Sequence, residues 1–216
     1  MKRLAAVALA MGLLAPVAAA QTRLPLTREQ ALSRMTSADV EQRRQGAAWL
    51  GELGLPDDAP LLIAALNDAD EAVRVLAENS VWQVWTRSGD PEIDGLMQAG
   101  IEQMHRGDGP AAVETFTRII ERKPDFAEAW NKRATVYFLM GEDEKSLRDC
   151  DEVMKRNPSH FGALAGYGQI YLRMGQPERA LTYFRRALRI NPNLRGVRQV
   201  IPEIEQLLTE RRKGTI

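Results

Sequence analysis

Residues 164–192 read LAGYGQIYLRMGQPERALTYFRRALRINP, and they contain the clearest structural pattern in the chain. It contains two runs in which apolar residues recur three and four positions apart, separated by a polar turn at Gly175. That period is typical of amphipathic helices, and glycine among polar residues marks the turn between them. Asn191 followed by Pro192 ends the second run, because proline disfavours helical geometry in the residue before it. The stretch therefore predicts a helical hairpin.

The same hairpin is written three times between Ile93 and Pro192. Aligning Pro124, Pro158 and Pro192 gives a period of 158 − 124 = 192 − 158 = 34 residues. Residues of similar character then coincide in five further columns: Leu96, Trp130 and Leu164; Gly100, Ala134 and Gly168; Gly107, Gly141 and Gly175; Ala112, Ser146 and Ala180; Phe116, Cys150 and Phe184. One such hairpin cannot bury its apolar face alone, so the three copies must stack.

This pattern resembles the tetratricopeptide repeat, whose signature combines an apolar anchor, small residues, an aromatic residue and a closing proline. The resemblance covers residues 91–192, with copies at about 93–126, 127–160 and 161–194. It implies an all-α fold: a right-handed α-solenoid of antiparallel helix hairpins. Residues 193–216 are then expected to form a capping helix and a tail, since arrays of this kind need a polar outer end.

Residues 21–90 form a second helical region with a different rhythm. Asp39, Arg43 and Leu50 precede Asp70, Arg74 and Val81 by 70 − 39 = 31 residues. This weaker pattern resembles the short form of the HEAT repeat, which implies that its aspartates and arginines pair between successive repeats. The four-residue break at 88–91 is too short for free movement, so we expect one continuous, bent solenoid.

The tryptophans of this region have two possible roles. We expect Trp49, Trp82 and Trp85 to pack in the core and at the junction with the first tetratricopeptide copy. The alternative is that Trp82 or Trp85 stacks on a ligand, since aromatic side chains are also favoured at interfaces.

The first twenty residues read as a secretory signal peptide. Lys2 and Arg3 supply the positive end, residues 4–15 form an apolar run, and Ala20 ends a small-residue cleavage site. The run is about twelve residues long, shorter than the roughly twenty that span a bilayer, although an uncleaved anchor is the alternative. We therefore predict cleavage after Ala20, a periplasmic location in a bacterial envelope, and no stable membrane insertion afterwards.

Composition and the scarcity of reactive side chains argue against several function classes. The 29 basic and 29 acidic residues are interspersed, which is not the basic footprint of a nucleic-acid-binding protein. The single cysteine, Cys150, occupies a packed aromatic column and is expected to be structural. His105 and His160 have no partner at metal spacing, and no nucleophile, base and orienting group can be assembled. The sequence predicts a non-enzyme without cofactor or metal.

A binding groove is the remaining candidate site. The resemblance implies that the first helix of each hairpin lines a concave surface. One helical step from the packed stripe selects Met97, Ile101, Met104, Asn131, Thr135, Phe138, Leu139, Ala165, Gln169, Leu172 and Arg173. This mixed apolar lining suits an extended or helical segment of a protein or peptide partner of unknown identity. The alternative is that these side chains pack on one another or on the chain's own end.

These observations predict an exported protein-interaction scaffold or adaptor. The alternative from another class is a non-catalytic structural subunit of a cell-envelope assembly, bound through its HEAT-like or convex face. One polar residue, Arg133, falls inside a packed stripe, and we expect its guanidinium to pair with Asp149 or Asp151.

Overall fold

The computed structural model describes residues 26–214, and this part of the chain is all-α. The predicted signal peptide lies outside the described residues. The helices are α1 (Arg28–Met35), α2 (Val40–Leu53), α3 (Ala59–Ala65), α4 (Glu71–Trp85), α5 (Pro91–His105), α6 (Gly109–Arg122), α7 (Ala127–Leu139), α8 (Asp143–Arg156), α9 (Phe161–Arg173), α10 (Pro177–Ile190) and α11 (Arg195–Arg212). A 3-10 turn at Pro56–Asp58 precedes α3.

The helices from α5 to α10 form three hairpins at the predicted period, α5 with α6, α7 with α8, and α9 with α10. Each hairpin turns at a glycine with positive φ, at Gly107 (77°), Gly141 (79°) and Gly175 (73°). A residue with a Cβ is strained in that region, which explains the glycine column. We call residues 91–194 the repeat array, and residues 123–126, 157–160 and 191–194, where each hairpin ends, its corners.

Small residues let the paired helices approach closely. A Cβ added at Gly100 would lie 2.6 Å from Cε1 of Phe116, and one added at Gly168 would lie 2.4 Å from Cε1 of Phe184. In the middle copy Cys150 takes the aromatic position and is buried. A cavity of about 50 Å³ remains beside its Sγ. Burial, with Asp149 and Asp151 nearby, raises the pKa of the Cys150 thiol to about 12, so it stays protonated.

The packed stripe of the middle copy contains the expected ion pair. Arg133 donates from Nε and from its terminal nitrogen to the two carboxylate oxygens of Asp149, both at 2.8 Å. It also donates to the Thr117 hydroxyl at 2.9 Å, and its guanidinium lies 5.0 Å from the ring centre of Trp130. The prediction is confirmed with Asp149 as the partner, while Asp151 instead accepts a hydrogen bond from Tyr167.

Residues 26–88, the N-terminal unit, contain helices α1 to α4 around a core that Phe161 of the array also enters. Thr27 and Gln30 form a capping box on α1, and Asp39 and Asp70 cap α2 and α4. The aspartates and arginines of the 31-residue pattern are structural, but the partners differ from a simple ladder. Arg43 pairs with Asp68 at 2.7 Å, and Asp70 pairs with Arg44 at 2.6 Å. The HEAT-like assignment itself stays a prediction.

The N-terminal unit does not extend the stack as a further hairpin would. Helix α4 does not pack on α5 in the way that successive repeat helices pack, and its side chains contact later corners of the array. Trp82 and Trp85 contact His160 and Phe161 at the start of the third copy, rather than the first copy as expected. The unit therefore folds back along the array, because its aromatic face is buried there.

The far end of the array is covered by α11. Val197, Ile204 and Leu208 are buried against α9 and α10, so α11 acts as the expected capping helix. Pro202 lies within this helix. Within residues 26–214, no helix combines the length and the apolar character that crossing a membrane requires.

Candidate polypeptide-binding site

The predicted groove residues of the first two copies are only partly accessible. Met97 is fully buried with Ile93 and Phe116, so its inclusion in a binding surface is wrong. Asn131 is also buried, and its Nδ2 donates to Glu128 at 3.2 Å. Both face inwards because neighbouring first helices close over them. Thr135 is exposed, and its hydroxyl donates to the carbonyl of Asn131.

Other predicted residues are half-buried or already engaged. Ile101 and Met104 pack at the edge of the first-copy core, and Leu172 packs at the edge of the third. The Arg173 guanidinium lies 3.8 Å from the ring centre of Phe138, and its Nε donates to Asp143 at 3.0 Å. Leu139 is exposed at the end of α7. Their role in binding stays a prediction.

Two predicted residues, Ala165 and Gln169, line an open cleft. This cleft has a volume of about 1000 Å³ and lies between α4, α9 and the first turn of α11. Its lining residues are Glu71, Arg74, Val75, Glu78, Asn79, Ala165, Gln169, Asn193, Leu194, Arg195, Gly196, Val197 and Arg198. The concave face of the third copy thus faces α4 across a gap, which the sequence did not predict. We call it the concave cleft.

The concave cleft combines apolar walls with amide groups that have no internal partner. Val75 is exposed, and Ala165 faces the same space. Within the described range, the side chains of Asn79 and Gln169 make no hydrogen bond. Each amide offers one acceptor and two donor hydrogens, the same groups that pair with a peptide backbone. The cleft therefore suits an extended polypeptide segment.

The charged groups at one end of the cleft hold its walls together. Arg74 donates to Asn193 Oδ1 at 3.1 Å, and Asn193 Nδ2 donates to the Leu66 carbonyl at 2.8 Å. Arg195 lies 3.4 Å from Glu71, but both side chains are mostly exposed. An exposed pair of this kind contributes little, about 0–1 kcal/mol. The cleft is therefore closed at this end mainly by the Asn193 hydrogen bonds.

A second contact between the two parts of the chain is aromatic. The Trp85 ring stacks on His160 with centroids 4.3 Å apart, and the Trp82 ring meets Phe161 edge-on at 5.0 Å. A Cβ added at Gly162 would lie 2.3 Å from Cη2 of Trp82, so only glycine leaves room for this indole. Lys132 Nζ lies 6.0 Å from the Trp82 ring centre. We call the site formed by Lys132, His160, Phe161 and Gly162 the aromatic seat.

A buried polar network supports the aromatic seat. His160 Nδ1 accepts the backbone N–H of Ala163 at 3.0 Å, so the hydrogen of the neutral ring is on Nε2. His160 Nε2 then donates to Glu128 Oε2 at 2.8 Å. Burial opposes ionisation of the Glu128 carboxyl, but this hydrogen bond and the Lys132 ammonium, 3.1 Å from Oε1, keep its pKa below the ordinary value. His160 is thus the N-cap of α9.

The same geometry indicates that this network positions the rings of the aromatic seat. Glu128 and His160 are fully buried, and Lys132 approaches Oε1 off the direction of a hydrogen bond. Among residues 26–214, no group of three or more His, Cys, Asp or Glu side chains could hold a metal ion. The aromatic seat was not predicted from the sequence; its one sequence signal is Gly162, a glycine in the first turn of α9 beside His160.

Comparison with known proteins agrees with this architecture. Residues 125–193 match the family model described as Tetratricopeptide repeat. The matched segment contains helices α7 to α10, which are the second and third hairpins. A TPR repeat-containing protein of Rhizobium etli is 39% identical over 100 residues, which cover 46% of this chain and 48% of that protein. The chain thus spans about half the length of that curated relative.

Solved structures show the same fold at low sequence identity. The Sgt2 TPR domain from Aspergillus fumigatus has a TM-score of 0.55 and 19% identity, covering 59% of this chain and 85% of that domain. The first TPR of Spaghetti (RPAP3), bound to an HSP90 peptide, has a TM-score of 0.52 and 21% identity, covering 54% and 93%. The MamA protein has a TM-score of 0.52 and 17% identity, covering 74% and 88%. The expected all-α solenoid of helix hairpins is confirmed.

Proposed function

We propose that this chain is a non-catalytic protein-interaction scaffold or adaptor that holds a polypeptide segment in the concave cleft. The observation that carries the proposal is the pair of unpartnered amides, Asn79 and Gln169, which line the same cleft from opposite helices. A peptide backbone satisfies both of them, and Val75 and Ala165 offer apolar contact to its side chains.

The dimensions of the cleft suit a short extended segment. Residues 71–79 of α4 line one wall, and eight steps of about 1.5 Å along a helix span about 12 Å. An extended chain covers about 3.3 Å per residue, so roughly four residues fit alongside. Export belongs to the same proposal: the signal-like first twenty residues support action in the bacterial periplasm.

Site-specific photocrosslinking tests the scaffold function in cells that naturally produce the protein. A photoreactive phenylalanine analogue replaces Gln169 in one variant and Thr182 in its control, since Thr182 is exposed on α10 and does not line the cleft. We expect a discrete crosslinked polypeptide from position 169 and none from position 182. Adding Val75→Arg should remove the product. Equal products from both positions would refute binding in the concave cleft.

One observation favours the alternative of a structural subunit. Leu53, the last residue of α2, and Leu55, two residues after it, are both exposed on the N-terminal unit. Exposed apolar side chains that lie together often mark a protein interface. A photoreactive group at position 55 would then capture a polypeptide that Val75→Arg does not remove.

A further inference from the structure

The aromatic seat holds a side chain from outside the repeat array, and this arrangement shows what the array can recognise. Trp82 reaches it from α4, three residues before Trp85, so both indoles project from one face of that helix. Gly162 leaves the space that the six-membered ring of Trp82 fills. The seat is thus shaped for a helix that carries a large aromatic side chain.

The array positions most of the seat by itself. His160 is held by Glu128 and by the N–H of Ala163, and Lys132 is held by Glu128; all four residues belong to the array. Phe161 is the exception, because it also packs into the core of the N-terminal unit. A site built largely without its occupant can accept another one at little cost in reorganisation.

The contact between the N-terminal unit and the array has open clefts at its edges, while Trp85 and Phe161 share a buried core inside it. Beside the concave cleft, a second cleft of about 570 Å³ separates Pro60 and Ile63 from the corner at Phe126. The polar contacts at the other end include the exposed pair of Glu71 and Arg195. Contacts of this kind resemble those between domains that separate and rejoin.

We propose that the aromatic seat is a recognition site for a helix of a partner protein carrying two aromatic residues three positions apart, and that α4 occupies it in the partner's absence. The inference rests on the proposed scaffold function, because it describes a second mode of binding on the same array. The occupant's chemistry is read from α4: an indole over Gly162, a second aromatic ring stacked on His160, and contact between Lys132 and the first ring.

The covalent connection between α4 and the array affects the competition between α4 and a partner helix for the aromatic seat. Because α4 is attached through residues 86–90, its effective concentration at the seat is about millimolar. A partner helix therefore binds the chain more weakly than it would bind an empty seat. The affinity is reduced in proportion to the fraction of molecules in which α4 leaves the seat free. A change that weakens the contact of α4 with the aromatic seat should raise the affinity of the seat for a helix added as a separate molecule.

A labelled peptide of residues 70–87, DEAVRVLAENSVWQVWTR, provides the probe, and fluorescence anisotropy measures its binding to the full chain. We expect Trp82→Ala in the chain to tighten binding at least tenfold relative to the unaltered chain. Adding Gly162→Leu should remove that gain by filling the seat, and a peptide carrying the Trp82→Ala change should not bind. Equal affinity of the unaltered and Trp82→Ala chains, or no effect of Gly162→Leu, would overturn the proposal.

Hydrogen exchange tests the same proposal on the unaltered chain, so that no substitution in the chain can disturb its folding. Excess peptide should speed exchange of the chain's own amides at 71–85, while the Trp82→Ala peptide should not. No change with either peptide overturns the proposal. If the photoreactive group at position 169 captures a polypeptide but the peptide tests fail, the scaffold function stands and the inference about the aromatic seat is refuted.

Discussion

Two glycines of α9, one helical half-turn apart, have opposite reasons to be glycine. Gly168 is pressed against the Phe184 ring, whereas the nearest atom to a Cβ added at Gly166 is Cys150 Sγ at 3.8 Å, an ordinary contact. Gly166 also borders the small cavity beside Cys150. Space therefore excludes a methyl group at one position and admits it at the other.

We expect Gly166→Ala to raise the free energy of unfolding by about 0.5–1 kcal/mol, because alanine restricts the unfolded chain and favours the helix. Gly168→Ala should lower it by about 1–3 kcal/mol, since the Phe184 ring must shift. Urea unfolding of both variants measures the two changes. A gain at both positions would mean that the contact with Phe184 relaxes without cost.

The Arg133 and Asp149 pair is nearly excluded from water, with side chains 14% and 6% exposed. Removing one partner of a buried pair leaves a charge without compensation and costs about 3–5 kcal/mol. We therefore expect Arg133→Leu to lower stability by about this amount, measured by urea unfolding. The double change Arg133→Leu with Asp149→Leu should cost much less. Unchanged or raised stability of the single variant would contradict a structural role for the pair.

At the scale of elements, the N-terminal unit is joined by arginine and aspartate pairs between helices. Arg28 donates a hydrogen bond to Asp58, Arg43 donates one to Asp68, and Arg44 donates one to Asp70. Hydrogen bonds from Arg43 and Arg44 hold the pKa values of Asp68 and Asp70 below the ordinary range. Each depressed pKa stabilises the fold above the unfolded value and stops doing so as the pH falls through the folded value.

The melting temperature should therefore decrease as the pH falls from about 4, the ordinary aspartate value, towards 2. Asp68→Asn removes one titrating group, so it should lower the melting temperature at pH 6 and flatten the acid slope. Calorimetry at a series of pH values checks both effects. The exposed Asp57→Asn is the control, because Asp57 makes no ion pair in the described residues. An identical slope in Asp68→Asn and the unaltered chain would exclude this pair as a source of acid sensitivity.

At the scale of the whole molecule, the seat couples the N-terminal unit to the array. Three of the four tryptophans, Trp49, Trp82 and Trp85, lie in the unit and only Trp130 lies in the array. Fluorescence therefore reports mainly on the unit, while circular dichroism reports on all helices. Urea unfolding followed by both signals can tell whether the two parts unfold together.

We expect coincident transitions in the unaltered chain and separated transitions in Gly162→Ala, where the added methyl group displaces Trp82. Gly95→Ala is the matched control, since a Cβ at that helical position meets no atom within 4 Å. Coincident transitions in Gly162→Ala would show that the N-terminal unit and the array unfold together without the contact between Trp82 and Gly162.

The helices, the hairpins and the solenoid class follow from the sequence pattern alone. The 34-residue register places Gly107, Gly141 and Gly175 at the turns and Gly168 against Phe184, because these requirements are local or recur between adjacent helices. The ion pair of Arg133 was also predictable, since a cation in a packed stripe needs a nearby partner. Ala165 and Gln169 could also be placed on the concave face, because the resemblance implies that the first helix of each hairpin lines that face.

What lies opposite that face depends on contacts that are distant in the sequence. Met97 and Asn131 were predicted to be accessible, yet neighbouring helices bury them, and Trp82 contacts Gly162 across 162 − 82 = 80 residues of sequence. No repeat period records such a contact, because it joins two regions with different rhythms. Local periodicity specifies which face of a helix is buried, whereas the surface that buries it depends on how the whole chain folds back.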